Sequence, residues 1–153
     1  AAYQAGVLSG LAKNLPASDI AYDSITAVSG AAANGVFLAS YPQGQEVQAA
    51  DRMKQFWLDA GKTQLFDDWI GGIITGLTLQ GGLYDSSPLK EFLQQQLKGV
   101  KVSRDLKIGI VNVLNGDFRD FSNNDINNED NLDHAVFASF SWPGLFPPAH
   151  AFG

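Results

Sequence analysis

The sequence predicts an α/β layered fold with a mainly parallel sheet, and three observations carry that expectation. Helix-like and strand-like segments alternate along the chain, the order that builds parallel sheets covered by helices. The run LKIGIVNVL at 106–114 is β-branched and apolar nearly throughout, as a strand buried on both faces must be. The chain has 153 residues, 45% of them hydrophobic and 17% charged, which is enough to fill the core of one domain.

The elements follow in order. Residues 1–14 read as an amphipathic helix with Ala5, Leu8 and Leu11 on one stripe, the 3.6-residue period of a helix face. Residues 22–28 read as a buried strand, and 30–40 as a helix opened by small residues. QEVQAADRMKQFWLDAGK at 45–62 spaces Val47, Met53, Phe56, Trp57 and Ala60 helically and meets Gly61 where a helix would end. The glycine-interrupted tract at 69–83 reads as irregular or as a loosely packed, lid-like segment. SSPLKEFLQQQLKG at 86–99 begins with an N-cap serine, carries Pro88 in the first turn and stops at Gly99. The strand at 106–114 is closed by Gly116 and Asp117, SNNDINNEDN at 122–131 reads as a solvated loop, and LDHAVFASF at 132–140 as a helix before the turn SWPGLFPPAH.

Composition excludes several functions. With 16 acidic against 10 basic residues and a net charge of -6, the chain lacks the clustered Lys and Arg that nucleic acid or an anionic bilayer requires. It has no cysteine, so disulfides and thiolate metal sites are out. The Asn/Asp-rich stretch lacks the ordered ligand series of a calcium loop, and the sequence points to neither a metal nor a cofactor. No apolar tract reaches the roughly 20 residues of a membrane span, and no signal-peptide pattern is present. The first residues already read as mid-helix and the last lack any closing element, so the chain reads as a single domain, 1–153, incomplete at both ends.

Chemistry concentrates at AVSGAAANG, 27–35. Ser29 stands between a strand-like run and a run of very small residues, the layout of a nucleophile elbow, in which a sharp strand-to-helix turn lifts the serine hydroxyl clear of the sheet. The neighbours two residues away must be small, and here they are Ala27 and Ala31 rather than the usual glycines. By itself the pattern also suits a buried helix start whose alanines allow close packing. A Ser-His-Asp set is spelled in order by Ser29, Asp117 or Asp120, and His134 or His150. Adjacent Asp133 and His134 point different ways on a helix, and a surface or turn role suits the histidines better. Asp117 and Asp120 suit a solvated turn at a strand end. Trp57, Trp69 and Trp142, with Phe66, Phe137, Phe140 and Phe146, are candidates for an acyl pocket, with core packing the default for most.

Five segments, in order, resemble the patatin-like phospholipases and acyl hydrolases: YQAGVLSGL at 3–11, YDSITAVSGAAANG at 22–35, GLYDSSPLKEFL at 82–93, IGIVNVLNGDFRDF at 108–121 and AVFASFSWPGLFPPAHAFG at 135–153. Asn34 falls at the family's usual asparagine, and the last segment resembles its A-S-x-x-x-P-x-x-F-P-P turn. The resemblance implies a three-layer α/β fold whose sheet is covered by helices. It also implies a lipid acyl hydrolase that forms an acyl-enzyme on Ser29 of a Ser-Asp dyad, with the Gly30 N–H as a backbone oxyanion donor. The substrate class it implies is phospholipid or another acyl lipid such as galactolipid, compatible with peripheral membrane contact. The family's glycine-rich oxyanion loop and its D-G-[GA] aspartate fall outside 1–153, so these residues alone are expected to be close to inert. The alternative is a catalytically inactive structural or interaction subunit that retains the fold within a larger assembly.

Overall fold

A computed structural model of the chain describes residues 1–128 and 131–150. Its centre is a three-stranded mixed sheet in the order β1-β4-β5: β1 (Ser24–Val28), β4 (Asp105–Val111) and β5 (Phe118–Ser122). β1 and β4 are parallel, with Ala27 opposite Ile108 and Val28 opposite Gly109. β5 returns antiparallel to β4, so the sheet is mixed rather than mainly parallel. The turn explains the reversal. Asn112 Oδ1 accepts the Leu114 N–H at 2.9 Å, an Asx turn that ends β4 at Val111, and the Asn112 N–H then donates to the Asp117 carbonyl at 2.9 Å.

Helices α1 (Ala2–Asn14) and α2 (Ala17–Ile20) precede β1; α3 (Ala31–Ser40) and α4 (Glu46–Ala60) follow it. Next come the two-residue strand β2 (Asp67–Asp68), the short α5 (Gly72–Thr75) and a π-helical turn at Gly76–Gln80. Strand β3 (Tyr84–Asp85) pairs antiparallel with β2, and α6 (Ser87–Leu97) leads to β4. Helices α7 (Asn123–Asn128) and α8 (Leu132–Phe140) close the described fold.

Alternation along the strands decides the layering. Ile25, Ala27, Leu106 and Ile108 are buried, and Ile25, Leu106 and Ile108 share one core with α3, α4, α6 and α8, in which Phe37, Met53, Phe56 and Leu93 are fully enclosed. The opposite face carries Val28 at 51% exposure and Phe118 at 60%. Among the described residues the helices therefore cover one side of the sheet, and two of the three expected layers are present. α3 is buried almost all round because it lies between that sheet face and α4.

One buried ion pair fixes the far end of the sheet. Arg104 donates to the carbonyls of Tyr41 (2.7 Å), Tyr22 (3.0 Å) and Pro42 (2.9 Å), and its Nη2 lies 2.9 Å from Glu46 Oε1. Glu46 Oε2 accepts the Gly44 N–H. The two buried charges thus face each other, although Glu46 Oε1 has the ion pair alone and no hydrogen-bond partner among the described residues.

Segment 122–131 corrects the expectation of a loop: Asn123–Asn128 form α7, and 129–130 lie outside the described residues. Ser122 stands just before the helix, and Asp125 Oδ2 accepts both its N–H (2.9 Å), the return half of a capping box, and its hydroxyl (2.8 Å). Asn123 then pairs with the start of β4, accepting the Leu106 N–H and donating to the Arg104 carbonyl. Its amide acts as one more rung of the sheet.

Candidate active site

Ser29 lies where β1 ends and α3 is about to begin, with Gly30 as the N-cap residue. Its φ is 56°, and among the described residues it is the one non-glycine at positive φ. An L-residue in the left-handed region costs about 1–2 kcal/mol, so neighbours must hold it there. They are identifiable. The Ser29 N–H donates to Ser139 Oγ at 2.7 Å, and the Ser139 hydroxyl donates to the Gly109 carbonyl at 2.8 Å. The Ala32 N–H closes the turn on the Ser29 carbonyl at 2.8 Å.

Small residues make room for this turn. A Cβ on Gly35 would stand 2.8 Å from the Ala27 Cβ, closer than carbon atoms approach. The methyl that Ala27 has in place of a glycine hydrogen is therefore received by the bare backbone of Gly35, one turn into α3. Gly109 is constrained likewise, since a Cβ there would meet the Val28 side chain at 2.6 Å and the Phe118 ring at 2.7 Å.

Asn34 is 2% exposed and ties three elements together. Its amide donates to the Ala1 carbonyl (3.0 Å) and to Gln4 Oε1 (3.1 Å), while Oδ1 accepts the Trp57 indole N–H at 2.8 Å. This sets the entry to α1 over the elbow, where the Ala1 Cβ lies 2.8 Å from the position a Gly30 Cβ would take.

α3 has no acidic residue in its first turn and no side-chain cap, so no side chain offsets the positive end of its dipole, which favours negative charge. Ser29 is exposed, and its hydroxyl makes no hydrogen bond to another described residue. Asp117 is held in the turn by Asn115 (2.7 Å), and Asp120 sits on β5 opposite Gly109. His134 lies 3.7 Å from Asp133 at the surface. His150 borders two clefts.

The first cleft, about 300 Å³, is walled by Trp69, Phe137 and Pro147, with Lys90, His134 and His150. The second, about 460 Å³, is largely apolar and bounded by Ile110, Val111, Phe121 and Ala138. Ile110 and Ala138 directly follow Gly109 and precede Ser139, so this cleft opens one residue from the bridge that holds Ser29. Of the other aromatic candidates, Phe140 lies 3.9 Å from the Gly30 Cβ position, Phe66 packs on Tyr84 and Phe146, and Trp142 is exposed. Among the described residues no three His, Asp or Glu side chains converge on a metal position.

A strand, a left-handed serine and a helix follow one another at Ser29, and the model of patatin-like phospholipases matches residues 1–153. The chain belongs to the patatin-like phospholipase family. No curated protein matches it with significant similarity. Membership gives this patatin-like chain its α/β fold and a lipid acyl hydrolase lineage, with a lipid as the substrate of that lineage. Two of its site residues escaped sequence reasoning. Ser139 reads only as a small packing residue of LDHAVFASF, and Gly35 as one more small residue after the elbow. The available signal was a hydroxyl on a helix whose other inward residues, Ala135 and Val136, are apolar and fully buried.

Proposed function

We propose that this patatin-like chain carries the nucleophile of a lipid acyl hydrolase, with Ser29 forming the acyl-enzyme and the Gly30 N–H contributing to the oxyanion site. The observation that carries the proposal is the backbone of Ser29. A serine kept at φ 56° between β1 and α3 is a strained residue where glycine fits without penalty, and such strain persists where the conformation is used.

The chemistry runs as acyl transfer. Ser29 Oγ attacks the ester carbonyl carbon while its proton passes to the carboxylate of a Ser-Asp dyad, with the aspartate supplied from outside residues 1–153. The tetrahedral oxyanion develops beside the α3 N-terminus, the alcohol leaves with the proton, and water then releases the fatty acid by the same steps. The apolar cleft beginning at Ile110 and Ala138 offers a wall for an acyl chain.

Lipid contact has its own support. Ile70, Ile74, Leu77 and Leu79 are all exposed, Ile70 fully, and no charged residue occurs from Trp69 to Tyr84. With a net charge of -6, such a segment suits a zwitterionic or neutral lipid surface rather than an anionic one. No helix among the described residues is long and apolar enough to cross a membrane.

The test is covalent. A fluorophosphonate probe is expected to label the full-length protein at Ser29, and Ser29→Ala is expected to abolish both labelling and hydrolysis of a phosphatidylcholine substrate. Absence of labelling in a folded, full-length protein, or equal labelling of Ser29→Ala, rejects the proposal in favour of the non-catalytic subunit.

A further inference from the structure

We infer that Ser139, near the C-terminal end of α8, is a positioning residue for the Ser29 nucleophile. This rests on the proposed role of Ser29 for its consequence in catalysis, but the positioning itself stands on geometry. The parallel ladder of β1 and β4 ends at Val28 opposite Gly109. One residue later the chain leaves the sheet, which strands the Ser29 N–H and the Gly109 carbonyl without each other. The Ser139 hydroxyl accepts from the first at 2.7 Å and donates to the second at 2.8 Å. One side chain thus completes the rung broken by the elbow.

A hydroxyl has one proton and two lone pairs, so donating to Gly109 fixes its orientation and leaves a lone pair toward Ser29. An alanine here removes both bonds at once and leaves two backbone groups unpaired beside the nucleophile. Three features place the load on Ser139. Ser29 is strained, its carbonyl is already committed to Ala32, and its hydroxyl makes no hydrogen bond to another described residue. The amide is thus the tie that links the elbow to the rest of the fold. The space is also restricted, since Val28 and Phe118 close over Gly109 and leave no room for a side chain there.

The experiment compares wild type, Ser139→Ala, Ser139→Thr and Ser103→Ala in the full-length protein. Ser103→Ala is the control, because it also deletes a hydroxyl that donates to a backbone carbonyl, that of Ala39 (3.0 Å), away from the elbow. Two quantities are read: the rate of fluorophosphonate labelling, and the hydrogen-exchange protection of the Ser29 amide relative to those of Ile25 and Ala27.

Ser139→Ala is expected to label about 10- to 100-fold more slowly, the penalty for a reactive group displaced by a fraction of an ångström to an ångström. It should lower kcat with little change in KM, and reduce protection of the Ser29 amide about tenfold, as loss of one hydrogen bond implies. Ser139→Thr keeps the hydroxyl and should recover most of both, while Ser103→Ala should leave the labelling rate at the wild-type value. An unchanged labelling rate in folded Ser139→Ala, or a loss that Ser103→Ala matches, overturns the inference. So does an unprotected Ser29 amide in the wild type, a result that needs no variant to fold. A wild type that is protected at Ser29 but never labels supports the tie and rejects instead the catalytic reading of Ser29.

Discussion

At the scale of single residues, the elbow works by moving one methyl group. An elbow with glycine two residues before the serine leaves space in the turn; here Ala27 fills that space and Gly35 gives it back, with 2.8 Å between the Ala27 Cβ and the position of a Gly35 Cβ. Gly35→Ala is therefore expected to destabilise by about 1–3 kcal/mol, as other overpacked interiors do, although alanine is intrinsically the better helix former by about 1 kcal/mol. Adding Ala27→Gly should restore stability to the wild-type level or above, because the collision disappears and the helix preference remains. Urea unfolding of the two single variants and the pair measures this. A pair no more stable than Gly35→Ala alone would show that the two positions do not share one space. The sequence displayed the small residues at 27, 31 and 35 equally; which of them face each other depends on the strand-to-helix crossing, and that is a tertiary fact.

Among elements, the long periodic ones were legible and the short polar ones were not. The helices at 1–14, 45–62 and 86–99 emerge within a residue or two of their expected limits; α4 and α6 bury an apolar stripe, whereas α1 buries Ala5 alone, with Leu8 and Leu11 half-buried. α7 was not legible, since Asn and Asp disfavour helix interiors and its start is specified by a side-chain lock between Ser122 and Asp125. β5 was missed because Arg119 and Asp120 break any apolar alternation and its pairing is set by the Asn112 turn. The Ser122–Asp125 lock has a pH signature. The backbone and side-chain hydrogen bonds from Ser122 hold the Asp125 carboxyl below its ordinary value, so its contribution is complete above the unfolded-state pKa and is lost as pH falls through the lowered folded-state pKa. NMR of the Ser122 amide is expected to show its downfield shift vanish in that acid range, while Asp125→Asn removes the titration and leaves the remaining amides of β5 in place. Persistence of the same titration in Asp125→Asn would assign it to another group.

For the molecule as a whole, the exposed surface sets what it can meet. The uncharged segment from Ile70 to Leu79 is expected to carry the protein to vesicles of phosphatidylcholine. In flotation assays Ile74→Asp combined with Leu77→Asp should reduce the bound fraction severalfold, and thermal unfolding should change little, since both side chains are exposed. Equal flotation of the double variant would move lipid contact elsewhere. The layering was only partly legible: a strand of Ile, Val and Leu reads as buried on both faces, yet Val111 is half exposed and Gly109 lies under Phe118 rather than under a helix. The chain's topology also sets a timetable. Ser29 is tied to residues 80 and 110 positions further on, through Gly109 and Ser139, and contacts that distant in sequence form late. A ribosome that has finished the serine, its strand and α3 has therefore not yet fixed the backbone of Ser29. The elbow acquires its shape only when α8 has been synthesised and has docked, so a half-made chain exposes the serine before its left-handed turn is held.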